Sequence, residues 1–217
     1  MDQPVENYWQ LRLQAVQEAL KSNNFDAHTV KNVAAARALI LDKLLPEATP
    51  ASVSYGGSMT VKATGVLEEI GAMKGVELIV PDEPNLSLEQ KIERRRQGLL
   101  VDLYLSGTNA VTEEGCLVNL DMIGNRVAAI TFGPKKVIVI VGRNKVVADL
   151  EAAMYRIKEY AAPANAIRLD CKTPCAKTAT CADCSSPGRI CNHWTMNEKS
   201  YPKNRISVIL VNEELGL

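Results

Sequence analysis

Net charge is the first thing this 217-residue chain does without: 25 lysines and arginines offset 25 aspartates and glutamates. A general nucleic-acid binder needs a basic surplus to neutralise phosphates, and none is available here. The one basic run, Arg94-Arg95-Arg96, is short and reads as a solvated helix end that complements the helix dipole. No apolar stretch approaches the roughly 18 residues that a bilayer-spanning helix requires, so no membrane span is expected. The opening Met1-Asp2-Gln3-Pro4-Val5-Glu6 carries neither the basic region nor the apolar core of a secretory signal. A cytoplasmic, reducing setting is therefore expected, in which six cysteines are not structural disulfides. Histidine is scarce as well. His28 and His193 lie far apart in the chain, and nothing supports a Ser–His–Asp triad. P-loop spacing and the three-glycine dinucleotide pattern are both missing, and there is no internal repeat.

What remains reads as alternating helices and strands. Trp9, Leu13, Val16 and Leu20 mark one face of a helix over residues 3–22. An extended piece at 25–30 leads to Asn32, a cap for a second helix that Pro46 is expected to end. Strands are expected at 51–55, 76–80 and 101–106. Ser87-x-x-Gln90 has the form of a capping box that opens a helix to about Gln97. Cys116–Leu120 and Val127–Thr131 flank Ile123-Gly124-Asn125-Arg126, which reads as a hairpin. Lys136–Val141 is almost continuously β-branched, the mark of a strand buried on both faces. A helix over Val146–Tyr160 with Leu150, Ala153, Met154 and Ile157 inward follows, and Ile206–Val211 reads as a last strand. The pattern predicts an α/β fold with a largely parallel sheet flanked by helices. Its divisions are an α/β domain over 1–170, a Cys-rich metal-binding segment over 171–204, and a terminal strand over 205–217 that returns to the body.

Five cysteines fall close together: Cys171, Cys175, Cys181, Cys184 and Cys191. Thiolates bind zinc and iron–sulfur clusters strongly, and four satisfy either centre. Cys175, Cys181, Cys184 and Cys191 are the metal-ligand candidates. Cys171 lies upstream of the Pro174 turn, and His193 is a substitute donor. The spacing does not distinguish zinc from an iron–sulfur cluster, and reduced or redox-active thiols are the competing reading. Cys116 reads as an ordinary buried thiol.

Two turns offer polar chemistry. Gly56-Gly57-Ser58 follows a strand and opens a helix, where bare glycines let backbone N–H groups approach an anion and Lys62 adds charge. A tight turn with a serine cap is the alternative. Thr108 and Asn109 follow the end of another strand, where parallel sheets bind ligands. Beyond them Glu113 and Glu114 are candidates for a general base or nucleophile, or are plain surface acids. Asn119, Asp121, Asn125 and Arg126 form a second polar group. Arg126 suits a substrate carboxylate, or pairs with Asp121.

Ser106–Asp121, Gly124–Val127 and the run from Lys136 to Ala153 together resemble the lactate-utilisation (LUD) domain family. Gly56-Gly57-Ser58 looks like that family's early glycine turn. Thr173-Pro174-Cys175, Cys181-Ala182-Asp183-Cys184 and Arg189-Ile190-Cys191-Asn192 are similar to its short, cysteine-containing subgroup. The resemblance implies a fold like ribose-5-phosphate isomerase and the CoA transferases. It also implies a component of lactate or 2-hydroxyacid oxidation, working beside redox partner subunits on a small organic acid or other anion. A CoA-transferase-like enzyme using Glu113 or Glu114, and a non-catalytic metal-stabilised interaction subunit, are the alternatives.

Overall fold

The structure is a computed structural model and describes residues 3–217. Helix α1 (Gln3–Ser22) presents Leu13, Val16 and Leu20 every three to four residues, and all three are buried. Strand β1 (Asp26–Val30) follows. Asn32 then caps α2 (Val33–Leu39) by accepting from the Ala35 N–H at 2.9 Å. Pro46 does not stop this segment as the sequence suggests. A wider turn over Ile40–Leu44 places Pro46 within the first turn of α3 (Leu45–Ala48), where its missing N–H has no partner to lose. Strand β2 (Ser52–Tyr55) leads through the glycine turn to α4 (Met59–Thr64), which Gly65 closes at φ +66° before α5 (Val66–Ala72).

Strand β3 (Glu77–Ile79) precedes α6 (Leu88–Gln97), which begins on the expected Ser87/Gln90 capping box. Strands β4 (Leu103–Gly107), β5 (Ala110–Thr112) and β6 (Leu117–Asp121) come next. Two readings of this region need correction. The hairpin turn lies at Glu113–Gly115, between antiparallel β5 and β6, with Gly115 at φ +80°. Residues Asn125–Thr131 are helix α7 rather than a strand. Asp121 decides it: its Oδ2 accepts from the N–H groups of Arg126 and Val127 at 3.1 and 3.0 Å, satisfying the first turn of that helix.

Strand β7 (Lys136–Gly142) runs into a 3-10 turn, Arg143–Lys145, and a short β8 (Val146–Val147). Asp149 caps α8 (Leu150–Arg156), so the helix starts later than periodicity suggests. It continues through Ile157–Ala161 into α9 (Ala162–Arg168). Ala153 and Ile157 face inward, whereas Met154 is exposed. After α10 (Pro174–Thr178), β9 (His193–Asn197) lies in a segment whose sequence shows little apolar period. Strand β10 (Ile206–Val211) returns to the sheet as expected.

Six parallel strands form the main sheet in the order β1-β10-β7-β4-β2-β3. The smaller sheet has the order β8-β5-β6-β9. Alternation along β7 divides the core: Val137, Val139 and Val141 pack with the α1 side, while Ile138 and Ile140 pack with α2, α4 and α5. Ala110, Val118 and Leu120 of the smaller sheet meet Ala153 and Ile157 in a third cluster. No helix among the described residues is long and apolar enough to cross a membrane.

Candidate functional site

In a parallel sheet every strand ends at the same edge, and ligands bind where those ends diverge. Here β2 leads into Gly57-Ser58, β4 into Thr108-Asn109 and β7, through a 3-10 turn, to Lys145, and the chain past β10 brings Gly216 alongside. These residues line one cleft of about 190 Å³. Ile157, Ala161 and Asn165 of the long α8–α9 helix and Ile190 of the Cys-rich segment form its other wall. That volume is below the roughly 300–1,000 Å³ of drug-sized sites and suits a small molecule.

Arg126 organises the floor. Its Nε and Nη2 donate to Asp121 Oδ1 at 2.9 and 2.5 Å, its Nη1 donates to Asn119 Oδ1 at 2.7 Å, and its Nη2 also donates to Asn109 Oδ1 at 2.6 Å. Gly107 and Leu120 carbonyls accept as well, each at 3.3 Å. Of the two sequence readings of Arg126, the pair with Asp121 is realised, and its donors are committed within the protein. Gly56 belongs to this arrangement, because a Cβ there would lie 3.3 Å from both the Arg126 Cγ and the Tyr104 hydroxyl. Asn125 hydrogen-bonds that buried hydroxyl, whose pKa burial pushes upward. Gly56 and Asn125 thus support the floor and do not line the cleft. Ser58 serves twice, capping α4 through the Val61 N–H at 3.2 Å and facing the cleft.

Lys145 is the cation that sequence reasoning missed. It is 5 % exposed and lines the cleft, and its Nζ donates to Thr60 Oγ1 at 3.2 Å. Among the described residues no carboxylate lies within ion-pair distance of it. Burial, then the like charges of Arg156 and Arg126, lower its pKa from 10.5 to about 7. Arg156 is itself held below the strand ends by the carbonyls of Asn109 and Asn144, at 2.7 and 3.1 Å. The signal was available: a lone lysine just past the carboxyl end of the most apolar strand sits at the edge where ligands bind.

Three other candidates lie elsewhere. Lys62 is exposed on α4 and does not line the cleft. Glu113 and Glu114 sit on the exposed β5–β6 turn, because the chain past Asn109 enters a hairpin instead of lingering at the strand edge. Glu113 Oε1 pairs with Arg12 at 2.7 Å, and the Glu114 carbonyl accepts from Asn23 at 2.8 Å, which ties the turn to α1. Neither carboxylate lines the cleft.

The cysteines are free thiols. Cys116 is buried, and desolvation raises its pKa to about 11. Cys175 Sγ lies 3.3 Å from Thr173 Oγ1, and Cys181 Sγ accepts from the Asp183 N–H at 3.5 Å. Hydrogen bonds from Ser186 lower the Cys184 pKa. Lys158 and Arg189 both bond Asp183, at 2.9 and 3.3 Å, and lie within the electrostatic reach of Cys191. The placement does not fit a metal centre: among the described residues no three His, Cys, Asp or Glu side chains come together to hold an ion. His193 instead sits in β9, paired in register with Asp121.

The chain matches the family model described as the LUD domain over residues 13–211. It is also similar to a crystal structure of a DUF162 family protein from Deinococcus radiodurans. The two share 17% sequence identity, the likeness covers 94% of this chain and 98% of that one, and the TM-score is 0.54. No curated protein matches the sequence.

Proposed function

The chain belongs to the LUD domain family, and we propose that it binds a small organic acid in the cleft at the carboxyl ends of its parallel strands, as a component of lactate or 2-hydroxyacid oxidation. One observation carries the reading: a buried lysine that has no carboxylate partner among the described residues opens on that cleft. Burying an ammonium is costly unless something compensates it, and a bound carboxylate does so. Arg168 lines the same cleft and adds a second cation, while Ser58, whose oxygen only accepts from the Val61 N–H, offers its hydroxyl proton to a 2-hydroxy or 2-oxo group. Met59, Leu120, Ile157 and Leu169 give the short carbon chain an apolar wall.

The oxidation itself falls to redox partner subunits in this reading, with this chain holding the acid. A zinc or iron–sulfur centre on Cys175, Cys181, Cys184 and Cys191 requires the segment to rearrange. Elemental analysis of anaerobically purified protein tests that part separately. The acid-binding part is tested by calorimetric titration with lactate and pyruvate. The expected outcome is binding by the native chain and at least a tenfold loss in Lys145→Met, about 1.4 kcal/mol. Equal binding by the variant rejects the cleft as the site.

A further inference from the structure

We propose that Lys145 is a point of covalent attachment for a 2-oxo acid, its side-chain amine condensing with the ligand's carbonyl to form an imine. The inference rests on the reading of the cleft as a small-acid site and adds to it the identity of the reactive group.

Lys145 is 5 % exposed and lines the cleft, at the end of the 3-10 turn that follows β7. Arg156 and Arg126 are the charges that reach it, and both disfavour its ammonium form. With a pKa near 7, a large share of the side chain carries a free lone pair at neutral pH. Thr60 Oγ1, at 3.2 Å, fixes one N–H and thereby the direction of the nitrogen. Gly216 keeps the approach clear, since a Cβ there would lie 3.3 Å from Nζ and 2.7 Å from Thr60 Oγ1. Arg168, exposed and with its Nε and Nη2 on Asn165 Oδ1 at 3.0 and 2.7 Å, lines the same cleft and offers a charge to the ligand's carboxylate while the Lys145 amine reacts.

The chemistry closes without a further reagent. The Nζ lone pair adds to the carbonyl carbon, and one amine proton passes to the oxygen. The resulting hydroxyl then leaves with the second amine proton as water, so a C=N bond replaces the C=O bond. No electron is gained or lost overall. A proton from solvent makes the iminium.

Full-length protein treated with pyruvate and sodium borohydride near neutral pH tests this, read by intact mass and peptide mapping. The expected result is a single reduced pyruvyl adduct on Lys145. It is suppressed by excess lactate, which has no ketone carbonyl to condense with, and absent from Lys145→Arg. Mapping the native chain needs no variant, so a misfolded variant does not obscure the answer. Lactate binding measured in parallel separates the two ideas. Lactate binding with Lys145 unmodified by pyruvate, or adducts scattered over surface lysines, overturns the imine and leaves the acid site standing. Failure of both acids to bind removes the acid site and the imine with it.

Discussion

Lys145, Arg126 and Asp121 define the cleft by how their charges are handled. Arg126 and Asp121 are mutually satisfied inside the protein, with side chains 14% and 7% exposed. Removing one member of such a buried pair leaves the other uncompensated, at roughly 3–5 kcal/mol. Asp121→Ala also removes the cap of α7. It is expected to lower the unfolding free energy from denaturant melts by an amount in that range; a loss below about 1 kcal/mol would show the pair to be dispensable. Lys145 behaves oppositely. Its folded pKa, about 7, lies below the 10.5 of the free side chain, so the unfolded chain binds more protons between those values and stability rises with pH across that window. Lys145→Met should therefore flatten the stability–pH profile above about pH 7, as chemical denaturation over that range will report. Asp26 runs the other way. His28 and Ser207 hold its carboxyl near 2, with Ser207 donating at 2.8 Å. Its contribution is present above the ordinary value of 3.8 and is lost as pH falls toward 2. Asp26→Asn is expected to remove roughly 1–2 kcal/mol at neutral pH and almost nothing at the acid end.

Elements were legible in the sequence where one force dominated. The stripe of α1, the apolar run of β7 and the Ser87/Gln90 box of α6 each declare themselves, since burial or capping alone fixes them. Helix α7 was hidden because its stabilising carboxylate, Asp121, precedes a Gly124-Asn125 pair that also suits a turn. Strand β9 was hidden for a different reason: its residues are half buried at best, and it is specified by pairing with β6 rather than by its own pattern. The true hairpin turn carries a constraint of its own. Gly115 stands at φ +80°, and a Cβ on it would lie 2.8 Å from the backbone of Ala19 and Leu20. Gly115→Ala should destabilise by roughly 1–3 kcal/mol, from strain and overpacking together, which thermal unfolding will detect. An unchanged midpoint would mean that the turn is not seated against α1 as described.

Across the whole molecule, the two sheets and the long α8–α9 helix leave one cleft where several strand ends meet. Of the residues that the sequence pointed to, Gly57, Ser58, Thr108, Asn109 and Arg126 line that cleft, because all follow strand ends or face them. Glu113 and Glu114 follow a strand end in sequence yet lie away from the cleft, because the β5–β6 hairpin carries them to an exposed turn. The later part of the Cys-rich segment is joined to the body: Ile190 lines the cleft, and β9 extends the smaller sheet. A ligand that occupies the cleft should thus stabilise the whole fold by mass action, by about 2.7 kcal/mol at a hundred times its dissociation constant.

The most direct measurement is a calorimetric titration of the native chain and Lys145→Met with lactate, repeated on both sides of pH 7. Saturable binding to the native chain alone, weakening as the ammonium is lost above about pH 7, is the expected result. Undiminished binding by Lys145→Met, or affinity that does not change with pH, would contradict a buried lysine as the anchor of the site.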